Sequence, residues 1–148
     1  MVSDLIPISE ILVPVDFSEC SRRALQYAMR IAAASNAHIH LLNVIDDPTL
    51  IHQSTDQKFR DRQAHEIEEQ FLNVMSPEDR ARFRTTTSIR FGTAYHEIET
   101  YAKEHDIELI VMGNSARSSL SSAILGSVSG HTIRHAVCPV MTVTNHCE

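Results

Sequence analysis

The sequence has no tryptophan and only 5% aromatic residues, so aliphatic side chains must build its core. Cysteine is scarce too. Cys20, Cys138 and Cys147 are odd in number, lie far apart and form no Cys-x-x-Cys pair, a pattern that suits reduced thiols in the cytosol. No run approaches the roughly 20 apolar residues that a membrane-spanning helix needs. The stretch from Met1 to Val15 is interrupted by Asp4, Pro7, Glu10 and Pro14 and lacks a basic leader, so no signal peptide is read there. The expectation is a soluble, cytoplasmic protein without a membrane partner. A clustered basic face is also missing, and a formal charge of -6 would repel a phosphate backbone, which argues against nucleic acid as a partner. The commonest catalytic signatures are absent as well: there is no glycine-rich Lys-Ser/Thr loop, no nucleophile elbow and no paired-carboxylate motif. A dedicated enzyme is not expected.

At 148 residues the chain has the length of one domain, and 43% hydrophobic with 22% charged residues are ordinary globular values. Ile11 to Val15 is a short apolar run ending at Asp16, the pattern of a buried parallel strand, with Pro14 placed at its end because proline lacks a ladder N–H. Leu25, Ala28, Met29, Ala32 and Ala33 recur at helical spacing between Ser21 and Ser35, and Ser18 or Ser21 caps the start. Ile39 to Ile45 reads as the second strand, closed by Asp46-Asp47-Pro48. Residues 57–75 form an amphipathic helix, and Ser76-Pro77-Glu78 starts one more short turn. A strand over Thr85 to Phe91, a helix over Tyr95 to Lys103 and a strand over Leu109 to Met112 follow. A helix over Ser127 to His135 and a strand over Val140 to Thr144 close the series. Five strands alternating with four helices predict an α/β fold: one open, five-stranded, mainly parallel sheet with helices on both faces and no second domain within residues 1–148. Ligands of such sheets bind outside the carboxyl ends of the strands, where the winding reverses.

Two stretches follow strand ends: Val13-Pro14-Val15-Asp16-Phe17-Ser18, and Met112 through Ser129. The second, MGNSARSSLSSAILGSV, resembles the Gly-x-x-Gly-x(9)-Gly-Ser loop of the universal stress protein family, and VPVDFS resembles that family's opening strand and turn. The ending His135-Ala136-Val137-Cys138-Pro139-Val140-Met141-Thr142-Val143 is similar to its usual close, so the resemblance runs from about Ile11 to Val143. It implies a Rossmann-like, adenine nucleotide α-hydrolase-like domain that binds ATP, with or without Mg²⁺, and acts as a homodimer in a regulatory stress response. By the same resemblance Pro14, Val15, Asp16 and Val44 border adenine and ribose, while Met112, Gly113, Ala116, Gly126, Ser127, Val128 and Ser129 border the phosphates. Ala116 stands where the family has its second glycine, and Ser119 where a further glycine is frequent. An added methyl costs about 1 kcal/mol where left-handed backbone is needed.

Chemistry supports the loop independently, since a helix N-terminus offers unpaired N–H groups and a partial positive charge to a phosphate. Alternatively, Gly126 separates loop from helix and Ser127 caps it. Asp16 either accepts hydrogen bonds from ribose or adenine or caps the first helix, and the two roles are compatible. Arg117 is read as solvated. Two alternatives to an ATP-binding regulator stay open: a motif-degenerate homodimeric interaction module without nucleotide, and a slow ATP hydrolase. His131 and His135 have the spacing of a metal pair but lack the accompanying glutamate, so a surface pair is read; no metal site is expected. His38 and His40 alternate with apolar residues and share one polar side of their strand. Cys138 is read as buried and inert. The resemblance places Val140 to Thr144 at a sheet edge, where pairing with a second copy would cover it.

Overall fold

The computed structural model describes residues 5–114 and 126–144. The first strand, β1 (Glu10–Pro14), carries Ile11, Leu12 and Val13 with no exposed surface. Proline ends it, and the next donor, Val15 N–H, bonds Leu42 O at 2.8 Å. α1 (Glu19–Ser35) starts where the Ser18 side chain accepts the Ser21 N–H, and stops at Asn36, whose left-handed φ of 56° breaks the helix. Its Ala24, Leu25, Ala28 and Ala32 form a buried stripe.

β2 (His38–Ile45) is followed by α2 (Pro48–Gln53), α3 (Gln57–Val74) and α4 (Pro77–Arg82). α2 is an addition to the four expected helices: the Asp47 carboxylate caps it by accepting from Thr49 and Leu50 N–H, and Pro48 fills its first turn. The aspartate–proline pair read as the end of a strand also starts a helix. β3 (Thr85–Phe91), α5 (Ala94–Glu104), β4 (Leu109–Gly113), α6 (Ser127–His135) and β5 (Val140–Val143) complete the chain, with Thr144 outside the last strand.

All four strand pairings are parallel and the order is β3-β2-β1-β4-β5. Because side chains alternate, Ile11, Val13, Ile39, Leu41, Leu109 and Val111 face one way and pack with α1 and Phe71 of α3. Leu12, Leu42, Ile110 and Met112 face the other way, against Ile98, Tyr101 and Ala102 of α5. Each fully buried Leu or Ile contributes about 1.5–3 kcal/mol, so aliphatic strands supply most of the core, with Phe71 and Tyr101 as buried aromatic additions on its two faces. No described helix is long and apolar enough to cross a membrane.

Candidate functional site

β1 and β4 lie side by side, but the chain winds outward from β1 through β2 to β3 and from β4 to β5. Helices pack on both faces of the sheet, and in sheets wound this way the ligand crevice lies at the carboxyl ends of the two strands where the winding reverses. The segments singled out in the sequence converge there.

At the end of β1, Val15 is buried, and its carbonyl accepts the Asn43 side-chain N–H from β2 at 2.8 Å. Asp16 follows at the surface, and its Oδ1 accepts the Ser18 N–H at 2.9 Å. The turn sets Phe17 at a left-handed φ of 63°, and its ring packs edge-on against Phe71 with centroids 5.4 Å apart, a contact that offsets the conformational cost. Desolvation pushes the Asp16 carboxyl up, but hydrogen bonds from the Ser18 side chain and backbone and from Ser21 outweigh it and hold the pKa below its ordinary value. The group is a carboxylate at neutral pH. The helix cap itself is Ser18, so Asp16 shapes the turn that precedes the cap.

At the end of β4, Met112 is buried, and Gly113 answers a close approach: a Cβ there would stand 2.6 Å from the Cys20 carbonyl carbon at the start of α1. Asn114 N–H bonds Val143 O at 3.0 Å, and its Oδ1 accepts the Gly126 N–H at 2.7 Å. Ser129 Oγ donates to Gly113 O at 3.4 Å. These contacts dock the first turn of α6 on the end of β4. Gly126 is the N-cap, with Ser127 the first helical residue, and its φ of −59° and ψ of 158° are open to any residue. The glycine is therefore not required by backbone strain. Ser127 is exposed, Val128 half-buried and Ser129 buried, and a helix leaves the amides of this first turn without intrahelical partners. Val44 and Pro14 are half-buried, and Val44 packs in the α5 layer. Ala116, Arg117 and Ser119 lie outside the described residues. Asn114 and Asn43 were not anticipated, because no spacing marks an asparagine that braces two strand ends.

The remaining candidates are placed as follows. His131 stacks on Tyr95 at 4.2 Å between centroids and lies 6.0 Å from His135, as expected of a pair on a helix surface. His38 and His40 do share one side of β2, but His40 is buried. Cys138 is half-buried rather than buried, and desolvation raises its thiol pKa, partly countered by the Ile110 backbone. Cys20 is buried at the start of α1 with its Sγ 3.7 Å from Asn114 O, and Cys147 lies outside the described residues. β5 forms one edge of the sheet; Met141 is 38% exposed there, whereas Val143 is buried.

Comparison with known proteins identifies the architecture. A model described as the universal stress protein family matches residues 7–144. Universal stress protein G of Shigella flexneri is 32% identical over 139 residues, covering 90% of this chain and 96% of that protein. Among solved structures, a universal stress protein in complex with cAMP aligns with a TM-score of 0.73 at 23% identity, covering 96% of this chain and 99% of that one. A universal stress protein from Archaeoglobus fulgidus in complex with dAMP aligns at 0.63 and 17% identity, covering 93% and 98%. With a sheet of the same kind and a match over nearly its whole length, this chain belongs to the universal stress protein family.

Proposed function

We propose that the crevice between β1 and β4 binds an adenine nucleotide, ATP in the first instance, and that the protein acts as a regulator through this binding. The observation that carries the reading is the docking of the α6 N-terminus on β4, through Asn114 Oδ1 to Gly126 N–H at 2.7 Å, beside the turn that holds the Asp16 carboxylate. Helix amides and the hydroxyls of Ser127 and Ser129 suit phosphate oxygens, while Asp16 suits a ribose hydroxyl or the adenine amine. Pro14, Val15, Val44 and Met112 supply the apolar wall. Asp16 and the serine hydroxyls are also oxygen donors of the kind Mg²⁺ accepts when it accompanies a nucleotide. Solved structures of this fold in complex with cAMP and dAMP support an adenine ligand.

Denaturing the purified protein should release adenine nucleotide that chromatography identifies. MgATP titrated by calorimetry should bind the unaltered protein, fail to bind Gly126→Val, and bind Ala116→Gly as well or better. Folded protein that shows no binding in any of the three forms would overturn the reading. It would favour the second one, an interaction module whose site is degenerate at Ala116.

We also propose a homodimer through β5. The support is an edge strand with Met141, Ile133 and Val137 exposed on it and on the segment leading to it. Met141→Asp should lower the mass seen by light scattering, and a monomeric parent protein would sink the proposal.

A further inference from the structure

A second constellation lies at the opposite end of the sheet. Glu10 opens β1 and His38 opens β2, and the parallel register pairs these two residues directly. His40, two positions on, projects from the same face. Glu10 Oε2 stands 3.1 Å from His38 Nδ1 and 2.6 Å from His40 Nε2, while Glu10 Oε1 faces Arg84 Nη2 at 3.7 Å. The three ligand atoms lie within 4.8 Å of one another, and the imidazole centroids are 4.1 Å apart. Each ring is held from behind by a hydroxyl: His38 Nε2 by Thr86 Oγ1 at 2.7 Å, and His40 Nδ1 by Tyr101 Oη at 2.8 Å. Tyr101 Oη has a further neighbour in Ser88 Oγ at 3.4 Å, and its ring stacks on His105.

When the far nitrogens donate to these hydroxyls, both near nitrogens turn lone pairs toward one carboxylate oxygen. Three converging electron pairs repel unless a ring proton or a metal cation sits among them, and in the metal-free protein the 2.6 and 3.1 Å contacts are those of N–H groups donating to Glu10. Metal-bound histidines are oriented in this way, with the second ring nitrogen donating to a fixed partner. Two imidazoles and a carboxylate are a borderline donor set that suits zinc, whose bonds of about 2.0–2.2 Å place ligand atoms roughly 3.3 Å apart in a tetrahedron. The two carboxylate–nitrogen separations, 2.6 and 3.1 Å, fall short of that value, so small side-chain rotations that draw the carboxylate back would open the seat.

We propose that Glu10 Oε2, His38 Nδ1 and His40 Nε2 bind one divalent transition-metal ion, Zn²⁺ in first place, with water in the fourth position. The site is separate from the nucleotide crevice: four residue steps along β1 put it about 13 Å away. Bound metal would clip the amino ends of β1 and β2 together and raise the melting temperature with metal concentration. The site escapes sequence reading because Glu10 and the histidines are far apart in the chain and meet only through the strand register.

The test is a calorimetric titration of ZnCl2 into the chelator-stripped full chain, with Co²⁺ absorption reporting tetrahedral nitrogen and oxygen ligation. One equivalent should bind. His38→Ala and Glu10→Gln should each weaken it by about 100-fold or more, and Tyr101→Phe by about tenfold through loss of ring orientation. The double variant His131→Ala/His135→Ala, which removes the histidine pair of α6, should leave it unchanged. Circular dichroism checks folding, and the near-isosteric Glu10→Gln decides if His38→Ala does not fold. No saturable site in the parent protein, undiminished binding in Glu10→Gln, or loss of binding in the His131/His135 variant would each overturn the proposal.

Discussion

The two ends of the sheet are built from different materials. At the amino end, side chains bond to side chains across the strands: Glu10 with His38 and His40, His38 with Thr86, His40 with Tyr101, and Ser9 Oγ with Glu108 Oε1 at 2.7 Å. At the carboxyl end, the side chains beside the β1–β4 junction bond to backbone instead, Asn43 to Val15 O and Asn114 Oδ1 from Gly126 N–H, while backbone bonds join the strands at both ends. Small residues and helix starts occupy this second end. An end closed by its own side chains has little polarity left for a large ligand. An end whose side chains brace the backbone leaves helix-start amides and hydroxyls for a ligand, which is what an extended polar ligand requires.

The largest expected effect tests how tightly the carboxyl end is packed. Gly113→Ala would force a Cβ against the Cys20 backbone, which cannot swing aside as a flexible side chain would. A loss of about 3 kcal/mol in urea unfolding is expected from such overpacking. An unchanged midpoint would mean that α1 shifts freely over β4. At the amino end, Tyr101→Phe in metal-free protein strips the buried His40 of its hydroxyl partner and should cost about 2 kcal/mol. A neutral result would mean that the amino-end network is loose and the contrast between the ends false. Next comes Ser18→Ala, which removes the cap of α1 and should cost about 1 kcal/mol. Thr93 occupies the N-cap of α5 without a side-chain bond, so Thr93→Ala should change stability by less than about 0.5 kcal/mol. Equal losses at the two caps would break the link between cap geometry and stability.

The contrast also explains what could be read in advance. Apolar runs such as Ile11 to Val13 and the stripe Ala24, Leu25, Ala28, Ala32 announce strand and helix through local periodicity, and they are found where periodicity puts them. The proposed carboxyl-end site could be nominated from sequence because its parts, Val15-Asp16 and Gly126-Ser127, are contiguous turns after strands and before helices. α2 was missed because its six residues bury none of their side chains, so no apolar stripe marks it. The amino-end cluster was illegible for another reason: its members come from β1, β2, β3 and α5, and register is a tertiary property. His38 and His40 could be assigned to one face, but nothing local said that Glu10 would meet them.

The smallest effect, and the most direct check that the crevice carboxylate is held as described, is its acid response. Asp16 has its folded pKa depressed below the ordinary 3.8, so the stability it contributes is present above that value. It is lost as pH falls from the ordinary value through the folded one. Glu108 at the amino end is depressed too, by hydrogen bonds from the Ser9 side chain and backbone, and it loses its contribution in the same direction. Desolvation is the largest influence on Asp16 and the smallest on Glu108, so solvent screening makes the share of Glu108 the lesser of the two. Asp16→Asn keeps an oxygen that can accept the Ser18 N–H but carries no charge and does not titrate. The variant should therefore be less stable than the parent near neutral pH, and the gap should close as the solution is taken below the ordinary aspartate pKa. Glu108→Gln should show a shallower closing of the same sign. Urea unfolding of the three proteins across the acid range supplies the comparison. Curves for Asp16→Asn and parent that stay parallel at every pH would mean that Ser18 and Ser21 do not hold the carboxylate, and Asp16 would then be a freely solvated group at the mouth of the crevice.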